Sequence, residues 1–151
     1  MKHKEQVAFL LIATIICLIQ TKLYADSMEQ RILNDINQYR IHHRIQPLKL
    51  NPVISEQARK HSSQMCQRIL PFGHQHFDKR IKQIYAKIPG AKAGAENIAY
   101  NYKVGNIVNE WLKSPGHKRN IDGRAYNLTG IGVAQDKQGK LCYTQIFIHS
   151  F

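Results

Sequence analysis

Apolar residues recur at three-to-four spacing in four stretches of the chain, and each stretch predicts a helix. In the first, Ile32, Leu33, Ile36, Tyr39 and His43 form the stripe. It places a helix over 27–44, with Ser27 and Gln30 as a capping box. In the second, Ile54, Ala58, His61 and Met65 share one face over 52–68. Asn51 is a favourable N-cap there and Pro52 a favourable first helical residue. Phe77, Ile81, Ile84, Tyr85 and Ile88 mark a third helix over 77–87, which Pro89-Gly90 stops. Val104, Ile107, Val108, Trp111 and Leu112 mark a fourth over 105–113, and Ser114-Pro115 opens a short helix that runs to Ile121. After it the period shortens to two. Residues 128–134 alternate Gly130 and Gly132 with Ile131 and Val133, a strand with one nearly bare face. A turn over 136–139 leads into a second strand over 140–148. That strand carries Cys142, Thr144, Ile146 and Ile148 on one face and Tyr143, Gln145, Phe147 and His149 on the other. Residues 91–94 read as a small, flexible segment, and 97–100 as a short strand or extended loop. Helices first and an antiparallel hairpin last predict an α+β fold.

The N-terminus follows a different pattern. Lys2 and Lys4 precede an apolar run, Val7 to Ile19, broken only by Thr14, and Leu23-Tyr24-Ala25 ends in a small residue. This predicts a signal peptide over 1–25, with a run too short to span a membrane comfortably. An uncleaved anchor is the alternative. A single domain over 26–151 remains, with no transmembrane segment in the mature form, secreted to the extracellular or periplasmic side. Removing 1–25 takes away Lys2, Lys4, Lys22 and Glu5, so the formal charge falls only from +12 to +10. Such a surface favours anionic partners, such as lipid headgroups or envelope and host polymers. The basic residues are dispersed, without the aromatic-and-basic platform that stacks bases, which argues against nucleic acid. Cys66 and Cys142 in an oxidising compartment predict one disulfide closing a long loop, with two buried thiols as the alternative. Nothing in the sequence calls for more than a monomer.

Candidate chemistry centres on Gly94–Ile121. Glu96 sits in a small-residue segment and His117 follows the Ser-Pro-Gly turn after Trp111, while His74 lies upstream behind Phe72-Gly73. Two imidazoles and a carboxylate suit a metal site or an acid–base site. His117, in the first turn of its helix, is expected to have a depressed pKa because the helix N-terminus disfavours the cation. His61 lies on an apolar face, where a hydrogen-bonded core histidine is the commoner outcome.

Taken together, several segments resemble the CAP superfamily of secreted domains, and specifically its short bacterial branch. They are Ala58-Arg59-Lys60-His61-Ser62-x-x-Met65, Phe72-Gly73-His74, Ala95-Glu96-Asn97-Ile98-Ala99, Trp111-Leu112-x-Ser114-Pro115-Gly116-His117, Asn120-Ile121, Thr129-Gly130-Ile131-Gly132-Val133 and Thr144-Gln145-x-Phe147. The resemblance implies a three-layer α-β-α sandwich with a central, mostly antiparallel sheet. It also implies a cleft where His74 and His117 can hold zinc, weakly and exchangeably, with Glu96 as the acid. His61, Ser62, Asn97, Ser114, Tyr143 and Gln145 are further candidates to line that cleft. Many eukaryotic members carry a second cleft acid three residues after the helix tryptophan; Ser114 stands there in this chain. Its absence weakens any carry-over of hydrolytic chemistry. Three readings follow: a secreted ligand- or metal-binding module without turnover; a zinc-assisted extracellular hydrolase using Glu96, His117 and His74; or a polar cluster that only ties helices to sheet.

Overall fold

The computed structural model describes residues 2–151, with side chains described throughout from Ser27 onward. The elements run α1 (Lys2–His42), β1 (Lys49–Leu50), α2 (Pro52–Cys66), α3 (Phe77–Tyr85), β2 (Ala93–Tyr100), α4 (Ile107–Lys113), α5 (Pro115–Ile121), β3 (Leu128–Gln135) and β4 (Leu141–His149). The sheet order is β1-β3-β4-β2, antiparallel except where the two-residue β1 runs parallel to β3. Tyr143 and Phe147 of β4 pack with Ile32 and Ile36 of α1, Trp111 of α4 and Ile121 of α5. Ile146 and Ile148 turn to the other face and pack with Ile54 and Ala58 of α2 and Ile84 of α3. The alternation read along this strand therefore separates two cores, and the molecule is an α-β-α sandwich in three layers.

The bare face of β3 has a direct use. A Cβ on Gly130 would stand 2.2 Å from the backbone of Ile54 and Ser55, and one on Gly132 would stand 2.2 Å from the amide of Arg59. The α2 backbone lies directly on these two glycines, a closeness no other residue permits. Helix α2 starts as its sequence predicts: Asn51 Oδ1 accepts from the amides of Val53 and Ile54, with Pro52 as first helical residue. Cys66, at the end of α2, is bonded to Cys142 of β4 across a Cα–Cα distance of 5.7 Å. The pair is therefore a disulfide and not two thiols.

Four expectations are corrected. The first helix does not begin at a Ser27 capping box: α1 runs from Lys2 to His42, and Ser27 Oγ donates to the carbonyl of Tyr24 inside it. No glycine or proline interrupts the chain ahead of Ser27. Ile12, Ile15, Ile16, Ile19 and Leu23 of this helix are exposed, and burial begins at Met28. Met1, part of the expected leader, lies outside the described residues. Second, His43 is exposed and stacks on Tyr39 outside the helix, which ends one residue earlier. Third, the segment 91–94 is not a flexible link throughout: its residues 93 and 94 are already strand. They begin β2, an edge strand paired with β4 from Ala93↔His149 to Tyr100↔Cys142. Their small side chains carry little local strand preference, so the pairing partner decides. Fourth, the buried face of α3 contains Arg80, which is 6% exposed, while Tyr85 is only partly buried.

A second buried arginine holds the α5–β3 connection. Arg40 of α1 is fully buried and donates to the carbonyls of Gln46, Ile121, Gly123 and Tyr126 at 2.6–3.2 Å. Burial pushes its pKa down from the usual arginine value. Its guanidinium fork meets backbone oxygens only, so it fixes the loop that follows the helix of His117.

Candidate functional site

The site begins at Glu96, in the middle of edge strand β2. Its side chain is 1% exposed, and Arg80 from α3 grips it from below. Arg80 Nε donates to Oε2 at 2.9 Å, and Nη2 lies 2.8 and 2.7 Å from Oε1 and Oε2. Arg80 Nη1 donates to the carbonyl of Gln75 at 2.7 Å, which ties the 72–76 loop to the same ion pair. A bidentate fork of this kind satisfies a buried carboxylate that would otherwise be very costly to bury.

From that loop His74 turns its Nδ1 to Glu96 Oε1 at 2.8 Å. The carboxylate accepts, so Nδ1 carries a proton, and in the neutral ring Nε2 is the nitrogen with the lone pair. The His74 side chain is 51% exposed, and Nε2 is the atom left to meet a ligand. A carboxylate behind a histidine, fixing its tautomer and ring orientation, is the usual support of a metal-binding imidazole. His117 comes from α5, opposite. Among the described residues its ring nitrogens have no hydrogen-bond partner. Burial first, and then the nearby His74, lower its pKa. The expected direction holds, but desolvation and the second imidazole replace the helix N-terminus as the cause.

The neighbouring asparagines set the height of α5 over β2. Asn120 Nδ2 donates to Asn97 Oδ1 at 2.8 Å and lies 3.3 Å from the carbonyl of Glu96. Asn97 Nδ2 in turn donates to the carbonyl of His117 at 3.2 Å. These two side chains position the His117 backbone and leave its ring open.

The other sequence candidates divide by depth. His61 is fully buried on α2: its Nε2 donates to the carbonyl of Gly73 at 2.9 Å and lies 3.9 Å from Glu96 Oε1. Desolvation and the adjacent Arg80 lower its pKa. Ser62 is buried between the carbonyl of Gly132 and Thr144 Oγ1, at 2.9 and 2.8 Å. Tyr143 donates to the carbonyl of Tyr102 at 2.6 Å, and Gln145 Nε2 donates to Thr129 Oγ1 at 3.2 Å. Burial pushes the Tyr143 phenol up to about 12. Ser62, Tyr143 and Gln145 are thus interior residues that brace the sheet and do not line an open cleft. Ser114 is half-buried at the N-cap of α5, and its side chain makes no capping bond. His76, two residues after His74, sits in a left-handed backbone conformation, φ 59°, and lines a recess between α2 and α3.

Arg80 is the residue that sequence reasoning missed. The available sign was its place on the stripe, three residues after Phe77 and four before Ile84. A charge on a buried helical face needs a buried partner. Among the described residues no three His, Cys, Asp or Glu side chains converge as a metal-holding group. The donor set fits two imidazoles and open positions, not a closed structural zinc site.

A model of the cysteine-rich secretory protein family, CAP, matches residues 33–147. Two Bacillus subtilis proteins are similar over 80% of this chain. The uncharacterized membrane protein YlbC is 30% identical, with 34% of its length covered, and the uncharacterized protein YkwD is 29% identical, with 46% covered. The chain therefore spans less than half the length of either relative. Among solved structures, an extracellular protein containing an SCP domain from Bacillus anthracis is 25% identical, with TM-score 0.73 over 83% of this chain and 41% of that one. An outer surface protein from Borrelia burgdorferi shares the fold at TM-score 0.74 and 15% identity, over 83% of this chain and 94% of that one. The matched family model covers every element that builds the site, and the chain belongs to the cysteine-rich secretory protein (CAP) family.

Proposed function

We propose that this CAP domain is a secreted binding module whose ligand or weakly held metal sits between His74 and His117. One observation carries the preference for binding over turnover: both oxygens of Glu96 are engaged by Arg80 and His74. A general base needs a free lone pair within reach of a water. Glu96 instead serves as the support that orients His74. His74 Nε2 and the ring of His117 supply two imidazole donors. A divalent ion such as zinc held by them would act as a Lewis acid or as a bridge to a ligand oxygen. Secretion is supported by the N-terminal apolar pattern and by the disulfide.

The test is a calorimetric zinc titration of the wild-type chain beside a His74→Ala/His117→Ala variant. One-to-one binding that disappears in the still-folded variant supports the site. A folded wild type that takes up no zinc removes the metal and leaves a metal-free cleft. A peptide-hydrolysis assay with zinc present tests the hydrolase alternative, which turnover abolished by Glu96→Gln in a folded protein would reinstate.

A further inference from the structure

A recess of about 250 Å³ opens between α2 and α3. Its wall carries Lys60, Lys79, Arg80, His61 and His76, together with three glutamines and one leucine, and contains no aspartate or glutamate. We propose that this recess is a second ligand site, for a phosphate group.

Three observations support it. The first is uncompensated charge. Lys60 and Lys79 are exposed, and neither has an acidic partner among the described residues. Two unpaired lysines around one concavity, with no acid on its wall, concentrate positive potential there. Glu96 is paired with Arg80, so that ion pair adds no net charge to the recess. The second is a built floor. Arg80 is held by Glu96 and by the carbonyl of Gln75, so its guanidinium cannot swing into solvent, and its Nη1 has a second N–H beyond the one given to Gln75. The third is an orphan. His61 Nδ1 is buried without any hydrogen-bond partner, while Nε2 is committed to Gly73. A buried polar atom left unmatched marks a place where a partner is missing. With Nε2 protonated, Nδ1 is an acceptor and suits the P–OH of a protonated phosphate.

Size and polarity narrow the class. The volume is below that of drug-sized ligand pockets, and the wall offers a single leucine, so an acyl chain has nothing to bury against. Lysines supply point charges and glutamines supply amide donors, which suits a compact oxyanion. The phosphate could be free or the exposed headgroup of an anionic lipid. Both present the same oxygens to the recess.

The test titrates inorganic phosphate into the metal-free full chain, kept in chelator, and follows it by calorimetry and by NMR of the histidine rings. A Lys60→Gln/Lys79→Gln variant runs alongside; both side chains are exposed, and an unchanged melting temperature checks the fold. The expected result is saturable one-to-one binding, weakened at least about tenfold in the lysine variant, as the loss of charge-assisted hydrogen bonds implies. A His74→Ala/His117→Ala variant should bind phosphate as the wild type does, which keeps this site distinguishable from the cleft. Flotation with vesicles of phosphatidylglycerol in phosphatidylcholine separates the sources. Lysine-dependent flotation identifies a headgroup, and its absence beside phosphate saturation identifies a free phosphate. Failure to saturate, or equal affinity in the lysine variant, overturns the proposal whatever the vesicles do.

Discussion

Replacing Arg80 with methionine tests the centre of the site most directly. The change keeps an unbranched apolar stem and removes the guanidinium. Its partner Glu96 then remains with a side chain 1% exposed and only His74 as a neighbouring donor. The relevant regime is that of buried pairs, because Arg80 and Glu96 side chains are 8% and 1% exposed. Exposed pairs are worth at most about 1 kcal/mol. Breaking a buried pair on one side costs about 3–5 kcal/mol, since the surviving charge has lost its compensation. Arg80→Met also deprives the Gln75 carbonyl of its donor. For a chain of this size the loss corresponds to a melting temperature lower by roughly 6–20 °C. Trp111 is the only tryptophan and is 1% exposed, so its fluorescence in a urea titration reports the transition. Arg80→Met/Glu96→Gln should recover part of the loss by removing the stranded charge. A cost below about 1 kcal/mol for Arg80→Met would refute the buried clamp, as would a double variant no more stable than the sum of the two single losses.

Other outcomes follow from the same geometry. Gly132→Ala places a Cβ against the backbone of Ala58 and Arg59 and should cost at least about 1–3 kcal/mol by urea denaturation, because α2 must lift. Gly116→Ala meets no atom within 4 Å and should be neutral or stabilising by about 0.5–1 kcal/mol, since alanine suits a helix better. Reducing the Cys66–Cys142 bond frees a sequence separation of 76 residues in the unfolded chain and should cost about 4 kcal/mol, read as a lower urea midpoint with reductant. His61 and His117 both have lowered pKa values in the fold, so the unfolded chain binds more protons. Their contribution is fully present above the unfolded histidine pKa of about 6.5 and is lost as pH falls below it. Melting temperature should therefore drop between pH 7 and pH 5, and His117→Gln should flatten part of that drop.

Local pattern alone determined much of this protein. The Asn51-Pro52 start of α2, the Trp111 stripe, the short helix after Ser114 and the opposed faces of β4 all depend on neighbours within a turn or a strand. The bare face at Gly130 and Gly132 was visible as well, although its purpose, direct contact with the α2 backbone, needed the second element. Tertiary structure alone decided where charges could be buried. Arg80 and Glu96 are 16 residues apart, and Arg40 reaches carbonyls more than 80 residues away. In each case the stripe placed an arginine on a buried face, but the group that satisfies it comes from a distant segment. The same holds for β2, whose small residues become a strand only because β4 offers its free edge. Periodicity reports which face of an element turns inward. It carries no record of what waits there, because hydrogen bonds and ion pairs depend on three-dimensional distance while periodicity depends on sequence distance.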